Sequence, residues 1–432
     1  MSEKPKTNQK KEKYSEDKRM KILLTEKMKE METDFDNIEH VVIDMGNAIT
    51  KIGFSGKDLP TLEIPSIMAR NKLLESDKKV EISSYDQKMD VFGYEALDEQ
   101  YKADYNIHFL TPGDHKEKTS KEFLDLLKDS LENKLGISPT DYNVIVNMSP
   151  IRNDENIKTF GRLFIEELGF KAIAIINSSS LELFATGRTS GLVVECGETR
   201  TYTVPIFEGF PLYHALSKNK LGGRDLTEIF KEGIEENKLN VKSDDIFTLR
   251  NIKEKTCCVP VYNDYKFYLD ENNEDIISKE KVLYKLPDET IITIPRKSRI
   301  LASELLFNPN CVDKTDIGLN NLIINSIKKS ESVNESFKEI LLNNIVLSGG
   351  TTMIPNFAER IKKDLLEYKD VNEDWELVYK PEVIAENNRN IGKWIGMSMI
   401  SSMSTFDKIF IKKYEYQEKG EENFSEIFKK IF

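Results

Sequence analysis

Apolar positions along the chain follow two periods. Val41-Val42-Ile43, Val144-Ile145-Val146 and Ala172 to Ile176 are short, mostly β-branched runs that read as buried strands. Between them the period lengthens. Phe123, Leu126, Leu127 and Leu131 share one helical face, with Thr119 or Ser120 as the N-cap and Gly136 as the stop. Ile157, Phe160, Leu163, Phe164 and Leu168 form a second stripe that stops near Gly169. Strands alternating with helices predict an α/β fold. The folded part begins at Val41. Ahead of it, the first 15 residues are polar and read as a disordered tail, followed by Met20, Leu23, Leu24 and Met28 on one face of a charged helix. That helix reads as a solvated extension before it reads as a docking element. Segments 71–90 and 264–282 are polar and read as surface excursions.

Composition bounds the answer. A chain of 432 residues is too long for one ordinary core, so two or more lobes are expected. With 39% hydrophobic residues and 22 Phe, the chain is not wholly disordered. The net charge of −12 argues against a general nucleic-acid binder. That charge is uneven: residues 1–30 hold ten Lys or Arg and six Asp or Glu, a local +4, so the remainder carries −16. Cys196, Cys257, Cys258 and Cys311 form no C-x-x-C pair, which with no visible signal peptide predicts a reducing intracellular compartment. The four histidines make no H-E-x-x-H pair, so no zinc site is expected. No apolar run approaches membrane-spanning length, so no membrane association is expected.

One pattern occurs twice. VVIDMGNAITKIGFSG (41–56) and LVVECGETRTYTVPIFEG (192–209) each run strand, acid, one residue, Gly, polar turn, second strand. Asp44-Met45-Gly46 matches Glu195-Cys196-Gly197, 151 residues later. A turn glycine lets backbone N–H groups approach an anion without a Cβ in the way. Two such hairpins from two lobes can clamp the phosphates of a nucleotide. The acid ending each first strand then faces the cleft and holds a divalent cation through water. Lys51, seven residues after Asp44, is placed to reach a phosphate oxygen. A single D-x-G after a strand is an ordinary turn, and the repetition at domain spacing is what carries the reading. Downstream, IVLSGGTTMIPNF (345–357) runs strand, Gly-rich turn and helix, with Pro355 suited to the helix's first turn.

These segments together resemble actin. Asp44 to Gly56 with Pro65-Ser66-Ile67 is similar to its first phosphate hairpin, and residues 187–230 to the second hairpin with the strand and helix that follow. NIKEKTCCV, SGGTTMIPNFAERI, KWIGMSMISSMSTF and the terminal Phe432 resemble later actin segments in the right order. Sugar kinases and Hsp70-type chaperones share the paired hairpins, but not GRDLTE, IKEK and WIG-x-S together. The resemblance covers roughly residues 41–432, with gaps at 71–115 and 264–282. It implies a two-lobed actin-like ATPase fold, with paired five-stranded mixed sheets flanked by helices and ATP or ADP with Mg or Ca in the central cleft. It further implies an N-terminal extension (1–38) and four subdomains. The first comprises 39–65, 108–185 and 392–432, and the second 66–107. The third comprises 186–221 and 316–391, and the fourth 222–315. The implied nucleotide contacts are Gly46, Asn47, Ala48, Lys51, Gly197, Glu198, Gly223, Lys253, Glu254, Gly350, Thr351 and Met353. Asp44 and Glu195 are the implied acids ordering the waters of the metal. Without the resemblance, Lys253 and Glu254 read as solvated helix surface, and Gly223 as a strand end.

The departures from actin concern chemistry and assembly. Ser178 stands where actin has the Gln that orients the attacking water, and Tyr202 where it has a nearby His. Glu195 replaces an Asp, Ile354 the adenine-site Tyr, and Asn390 a Lys. Losing a water-positioning group costs orders of magnitude in rate, so slow or lost hydrolysis is expected. Leu306-Phe307-Asn308-Pro309 is kept, but the following Asn310 to Lys314 ends in charge, a poor apolar plug for a two-stranded filament. The loop near 70–92 carries Glu75, Asp77, Lys78, Lys79 and Glu81. Trp394 to Phe410 keeps the apolar pattern of the segment that lines the family's docking cleft for actin-like subunits or actin-binding proteins. The expected role is a cytoplasmic, cytoskeletal polymer component or regulator. A structural subunit of a chromatin-remodelling or dynactin-like complex, which extends the expected location to the nucleus, is the alternative. A small-molecule kinase is disfavoured, because Ser178 and Tyr202 supply no general base.

Overall fold

The computed structural model describes residues 38–432 except 73–89, 99–104, 111–116, 152, 238, 240, 242–244, 262–264, 270–281, 372–380, 404, 422 and 427–432. The N-terminal helix expected at Met20 to Met28, the charged loop residues and Phe432 lie outside the described residues. Strands β1 (His40–Asp44) and β2 (Ile49–Phe54) form the first hairpin, in which Asp44 sits opposite Lys51, and β3 (Leu62–Pro65) extends it. Strands β4 (Ile67–Asn71), β5 (Val91–Phe92) and β6 (Tyr105–Phe109) make a separate three-stranded sheet. Strands β7 (Asn143–Met148) and β8 (Ala172–Asn177) run parallel beside β1. Helices α1 (Glu117–Lys128), α2 (Asp154–Gly161) and α3 (Ser178–Ala185) belong to this half.

The second half repeats this order. Strands β9 (Gly191–Cys196) and β10 (Thr201–Phe207) form a hairpin, followed by β11 (Phe210–Pro211) and β12 (Ser217–Asn219), both paired to β10. Helices α4 (Gly223–Glu236) and α5 (Ile246–Thr256) come next, then a small sheet of β13 (Val282–Lys285) and β14 (Ile291–Ile294). After helix α6 (Leu319–Glu331), strand β15 (Ile345–Ser348) lies parallel to β9. Helix α7 (Phe357–Val371), β16 (Val383–Ile384), helix α8 (Gly392–Ser401) and β17 (Ile411–Lys412) complete the set used below. The orders are β17-β8-β7-β1-β2-β3 and β11-β10-β9-β15-β16 with β12 also on β10. Hairpin β1–β2 beside β7 and β8 thus corresponds to hairpin β9–β10 beside β15 and β16. Each sheet has six strands rather than the five implied. The surplus is short pairing at the edges, from β17 in one sheet and from both β11 and β12 on β10 in the other.

Both central strands are covered on two faces, which is why their sequences read as unbroken apolar runs. Val41 and Ile43 join one core with Val144, Val146 and Phe164, while Val42 joins Ile145, Leu181, Trp394 and Met397 on the opposite face. In the second sheet, Leu192 and Val194 face one core and Val193 the other. Helices α1 and α2 each run on into a π-helical turn, at Asp129–Lys134 and Arg162–Glu167. Two local expectations change. Helix α1 already includes Thr119 and Ser120, so neither caps it. Helix α7 begins at Phe357, so Pro355 lies before it. The chain leaving β15 first makes a 3₁₀ turn, Gly350–Met353.

Trp394 is fully buried, its Nε1 donating to the Val42 carbonyl at 3.1 Å. Met397, Phe406 and Phe410 are core residues as well, so of this segment's large apolar side chains Met399 and Met403 are the strongly exposed ones. The apolar pattern of Trp394 to Phe410 therefore reports mainly a core against the first sheet.

Candidate functional site

The two hairpin tips meet. Asn47 Nδ2 in the first donates to Thr199 Oγ1 in the second at 2.7 Å. Gly46 turns the first tip, where a Cβ would stand 2.3 Å from the Ile49 carbonyl oxygen, so no larger residue closes this turn. Ser66, the single bend residue between β3 and β4, braces it: Ser66 Oγ donates to the Gly46 carbonyl at 2.6 Å and Ser66 N to the Ala48 carbonyl at 3.0 Å.

The second tip is knitted to the helices beyond it. The Gly197 carbonyl accepts from Gly223 N at 2.9 Å and from Thr351 Oγ1 at 2.9 Å. The Glu198 carbonyl accepts from Arg224 N at 2.8 Å. Lys253 is buried in α5 and donates to the Gly223 carbonyl at 2.8 Å and Thr227 Oγ1 at 2.9 Å. It is therefore not a solvated helix residue. Burial lowers its ammonium below the ordinary lysine value, with the Glu198 carboxylate opposing. Glu254 one residue on does face solvent and pairs with Arg250 at 2.8 Å. Gly223 begins α4 rather than ending a strand. Gly197, Glu198, Gly223, Lys253 and Thr351 thus form one contiguous set. Gly350 has nothing near the place a Cβ would occupy, and Met353 is partly exposed.

Two features of this set suit a phosphorylated ligand. A cleft beside it is lined by Phe109, Glu198, Arg224, Thr227 and Arg250. Arg224 lies over the Phe109 ring, 4.5 Å from its centroid, and its buried Nε and Nη2 atoms have no hydrogen-bond partner among the described residues. Buried guanidinium N–H groups without a partner are costly and are relieved by an anion. The open face of Gly350 leaves room for a ligand.

The acids behave differently from the expectation. Asp44 Oδ2 accepts from Lys51 Nζ at 2.9 Å and Oδ1 from Asn147 Nδ2 at 2.7 Å. Asn147 Oδ1 in turn accepts from Met45 N at 2.8 Å, fixing the amide. Lys51 therefore lies on Asp44. Burial would raise the Asp44 carboxyl, but Lys51, Lys393 and the Asn147 hydrogen bond outweigh it and hold it below the usual range. Glu195 Oε2 accepts from Ser178 Oγ at 3.0 Å and Ser179 Oγ at 3.3 Å, and Oε1 pairs with Lys393 Nζ. Burial would lower the Lys393 ammonium, but Glu195 and Asp44 hold it above the ordinary lysine value. All four carboxylate oxygens thus face side-chain donors, and the two acids are balanced by two ammonium groups. Among the described residues no cluster of three or more His, Cys, Asp or Glu side chains is placed to hold a metal ion. The residues present do not fit a divalent cation between Asp44 and Glu195.

Ser178 opens α3 with its hydroxyl on Glu195. Tyr202 stands opposite Glu195 in the β9–β10 register, with its hydroxyl near Ser149. Behind them Glu182 is buried against Ser348 Oγ at 2.9 Å, and burial pushes its carboxyl up to about 8. Lys393, Asn147, Glu182 and Arg224 escaped the motif reading. Asn147 and Glu182 sit in an ordinary strand and helix with no local mark. The one available signal for Lys393 was a lone charge in the apolar stretch IGKWIGMSMI.

No helix of the described residues is long and apolar enough to cross a membrane. The family model for actin matches residues 35–429, and with this duplicated two-sheet architecture the chain belongs to the actin family.

Proposed function

We propose that this chain is an actin-like nucleotide-binding protein that holds ATP or ADP between its two hairpins and hydrolyses ATP slowly or not at all. The observation that carries the reading is the contact of the two hairpin tips through Asn47 and Thr199, which gathers both glycine turns at one place. The actin fold generally binds ATP or ADP. Gly46, Asn47 and Ala48 take the phosphates from one side and Gly197 and Glu198 from the other. Gly223, Lys253, Glu254, Gly350, Thr351 and Met353 surround the nucleoside. Slow hydrolysis is supported at Ser178, whose short hydroxyl is already committed to Glu195 and reaches no further into the cleft. Tyr202 holds no proton acceptor comparable to an imidazole. The division into four subdomains at the boundaries given above belongs to the same reading.

Calorimetric titration of ATP into the purified chain tests binding, and single-turnover phosphate release tests hydrolysis. Saturable one-to-one binding with release near the uncatalysed rate, raised by Ser178→Gln, supports the reading. No saturable binding, or fast turnover that Ser178→Gln leaves unchanged, contradicts it.

The cellular role follows as a cytoskeletal polymer component or regulator. A second role, fixed subunit of a larger complex, is favoured by the segment after Pro309. Its Lys314 is held by Asp225 at 3.0 Å, which ties a would-be filament plug to the body of its own chain. Sedimentation with ATP separates the two: polymer in the pellet favours the first, and a monomer that co-purifies with constant partners favours the second.

A further inference from the structure

Glu195, one residue before the end of β9, lacks the partner that its counterpart Asp44 has. In the first hairpin the residue opposite Asp44 is Lys51, and the two pair within the hairpin. In the second hairpin the residue opposite Glu195 is Tyr202, which carries no positive charge. The compensating charge arrives from helix α8, as Lys393, which lies 198 residues away along the chain.

The helix is built to deliver it. Helix α8 lies unusually close to α3: a Cβ on Gly392 would stand 2.2 Å from a Glu182 carboxylate oxygen, and one on Gly396 would stand 2.1 Å from the Leu181 carbonyl oxygen. At Gly396 the obstacle is backbone and only glycine permits the approach, whereas at Gly392 a larger residue would have to displace the Glu182 carboxylate. Trp394 pins the same turn by its bond to Val42 in β1. Lys393 lies between the closely packed Gly392 and Trp394, with its Nζ on the Glu195 carboxylate. It also stands in the first turn of α8, where a cation opposes the helix dipole. Such a position is unfavourable unless anions gather around it, and Glu195 and Asp44 are those anions.

Resting on the nucleotide reading above, we infer that Lys393 is a tethered cation that takes the place of a divalent metal beside the phosphates, so that this chain binds its nucleotide without one. The ammonium pairs with one hairpin acid and lies within electrostatic reach of the other, at the junction of the two lobes. A hydrated dication there would face two acids whose charge is already balanced by Lys51 and Lys393 and whose oxygens already hold donors. Lys393 acts as a specificity residue: it sets the cation requirement of binding.

The test compares ATP binding in magnesium and in EDTA, by calorimetry on the full chain. The affinity of the native chain changes less than about threefold on metal removal, an electrostatic difference of under about 0.7 kcal/mol. Lys393→Met leaves Glu195 and Asp44 with one cation and gains a magnesium preference of at least about tenfold. Native-chain binding that magnesium strengthens by about tenfold or more overturns the inference while leaving nucleotide binding intact. No ATP binding in either condition overturns the nucleotide reading itself. If Lys393→Met does not fold, the native comparison alone decides. Lys393→Arg, which keeps the charge, retains metal-independent binding. An arginine variant that turns magnesium-dependent counts against the inference.

Discussion

The two hairpins share a register and carry an acid at the same place, Asp44 in one and Glu195 in the other, yet they neutralise it in different ways. Asp44 is matched by Lys51 on the neighbouring strand, a local solution written within eight residues of sequence. Glu195 is matched by Lys393 on a helix that must first fold onto α3 and the first sheet. The first hairpin carries its own counter-charge, whereas the second is complete only when the C-terminal part of the chain is in place. Duplication of a strand pattern fixes backbone geometry, and the chemistry at equivalent positions then diverges through elements that are not duplicated.

Breaking either pair gives the largest effect. Removing one partner of a buried pair strands the other charge, so Lys51→Met and Lys393→Met are each expected to destabilise the chain by about 3–5 kcal/mol in denaturant titration. A Lys393→Met variant as stable as the parent would show that Glu195 needs no partner and would break the comparison.

Glu182, on α3 and near the acids of both hairpins, gives the next effect. Burial, partly offset by Ser348 and Lys393, pushes its carboxyl from 4.5 up to about 8. The folded chain therefore holds this proton more tightly than the unfolded chain does. Its contribution is fully present below about pH 4.5 and is lost as pH rises through about 8, with a slope of at most about 1.4 kcal/mol per pH unit. Glu182→Gln is expected to remove that slope. Asp44 works the opposite way. Its carboxyl is held low, so it contributes stability above the ordinary carboxylate pKa that is lost as pH falls through its lowered value. Thermal unfolding followed across pH in Glu182→Gln and in Asp44→Asn separates the two.

Smaller effects test the supports. Gly396→Ala places a methyl against the Leu181 carbonyl and is expected to cost about 1–3 kcal/mol, shifting Lys393 with the helix. Asn47→Ala removes the bond between the tips and is expected to cost about 1 kcal/mol, with a matching loss of ATP affinity. If Asn47→Ala weakens unfolding stability but not ATP binding, the tip contact is structural alone.

How much of this was legible depends on range. Val41 to Ile43 and Leu192 to Val194 announced buried strands because both faces of each sheet are covered. The acid–x–Gly echo exposed the duplication that the two strand orders display. The place of Lys51 on the first hairpin was legible, because the returning strand sets it opposite Asp44. Its immediate partner was not, since strand pairing, not spacing to a phosphate, decides where the ammonium rests. Lys393 was hidden because helix-on-helix contact at Gly392 and Gly396 brings it to Glu195, and no local period encodes that contact. The apolar pattern of Trp394 to Phe410 looks the same whether it faces a partner or its own core, and packing alone separates buried Trp394, Met397, Phe406 and Phe410 from exposed Met399 and Met403. The edge strands β11, β16 and β17, two residues each, are too short to register as a pattern.

The most direct measurement is a pair of double-mutant cycles on unfolding free energy, Asp44→Asn with Lys51→Met and Glu195→Gln with Lys393→Met. The account predicts coupling of about 1–3 kcal/mol in both cycles, the second as strong as the first although its partners lie on distant elements. Strong coupling between Asp44 and Lys51 with none between Glu195 and Lys393 would contradict it.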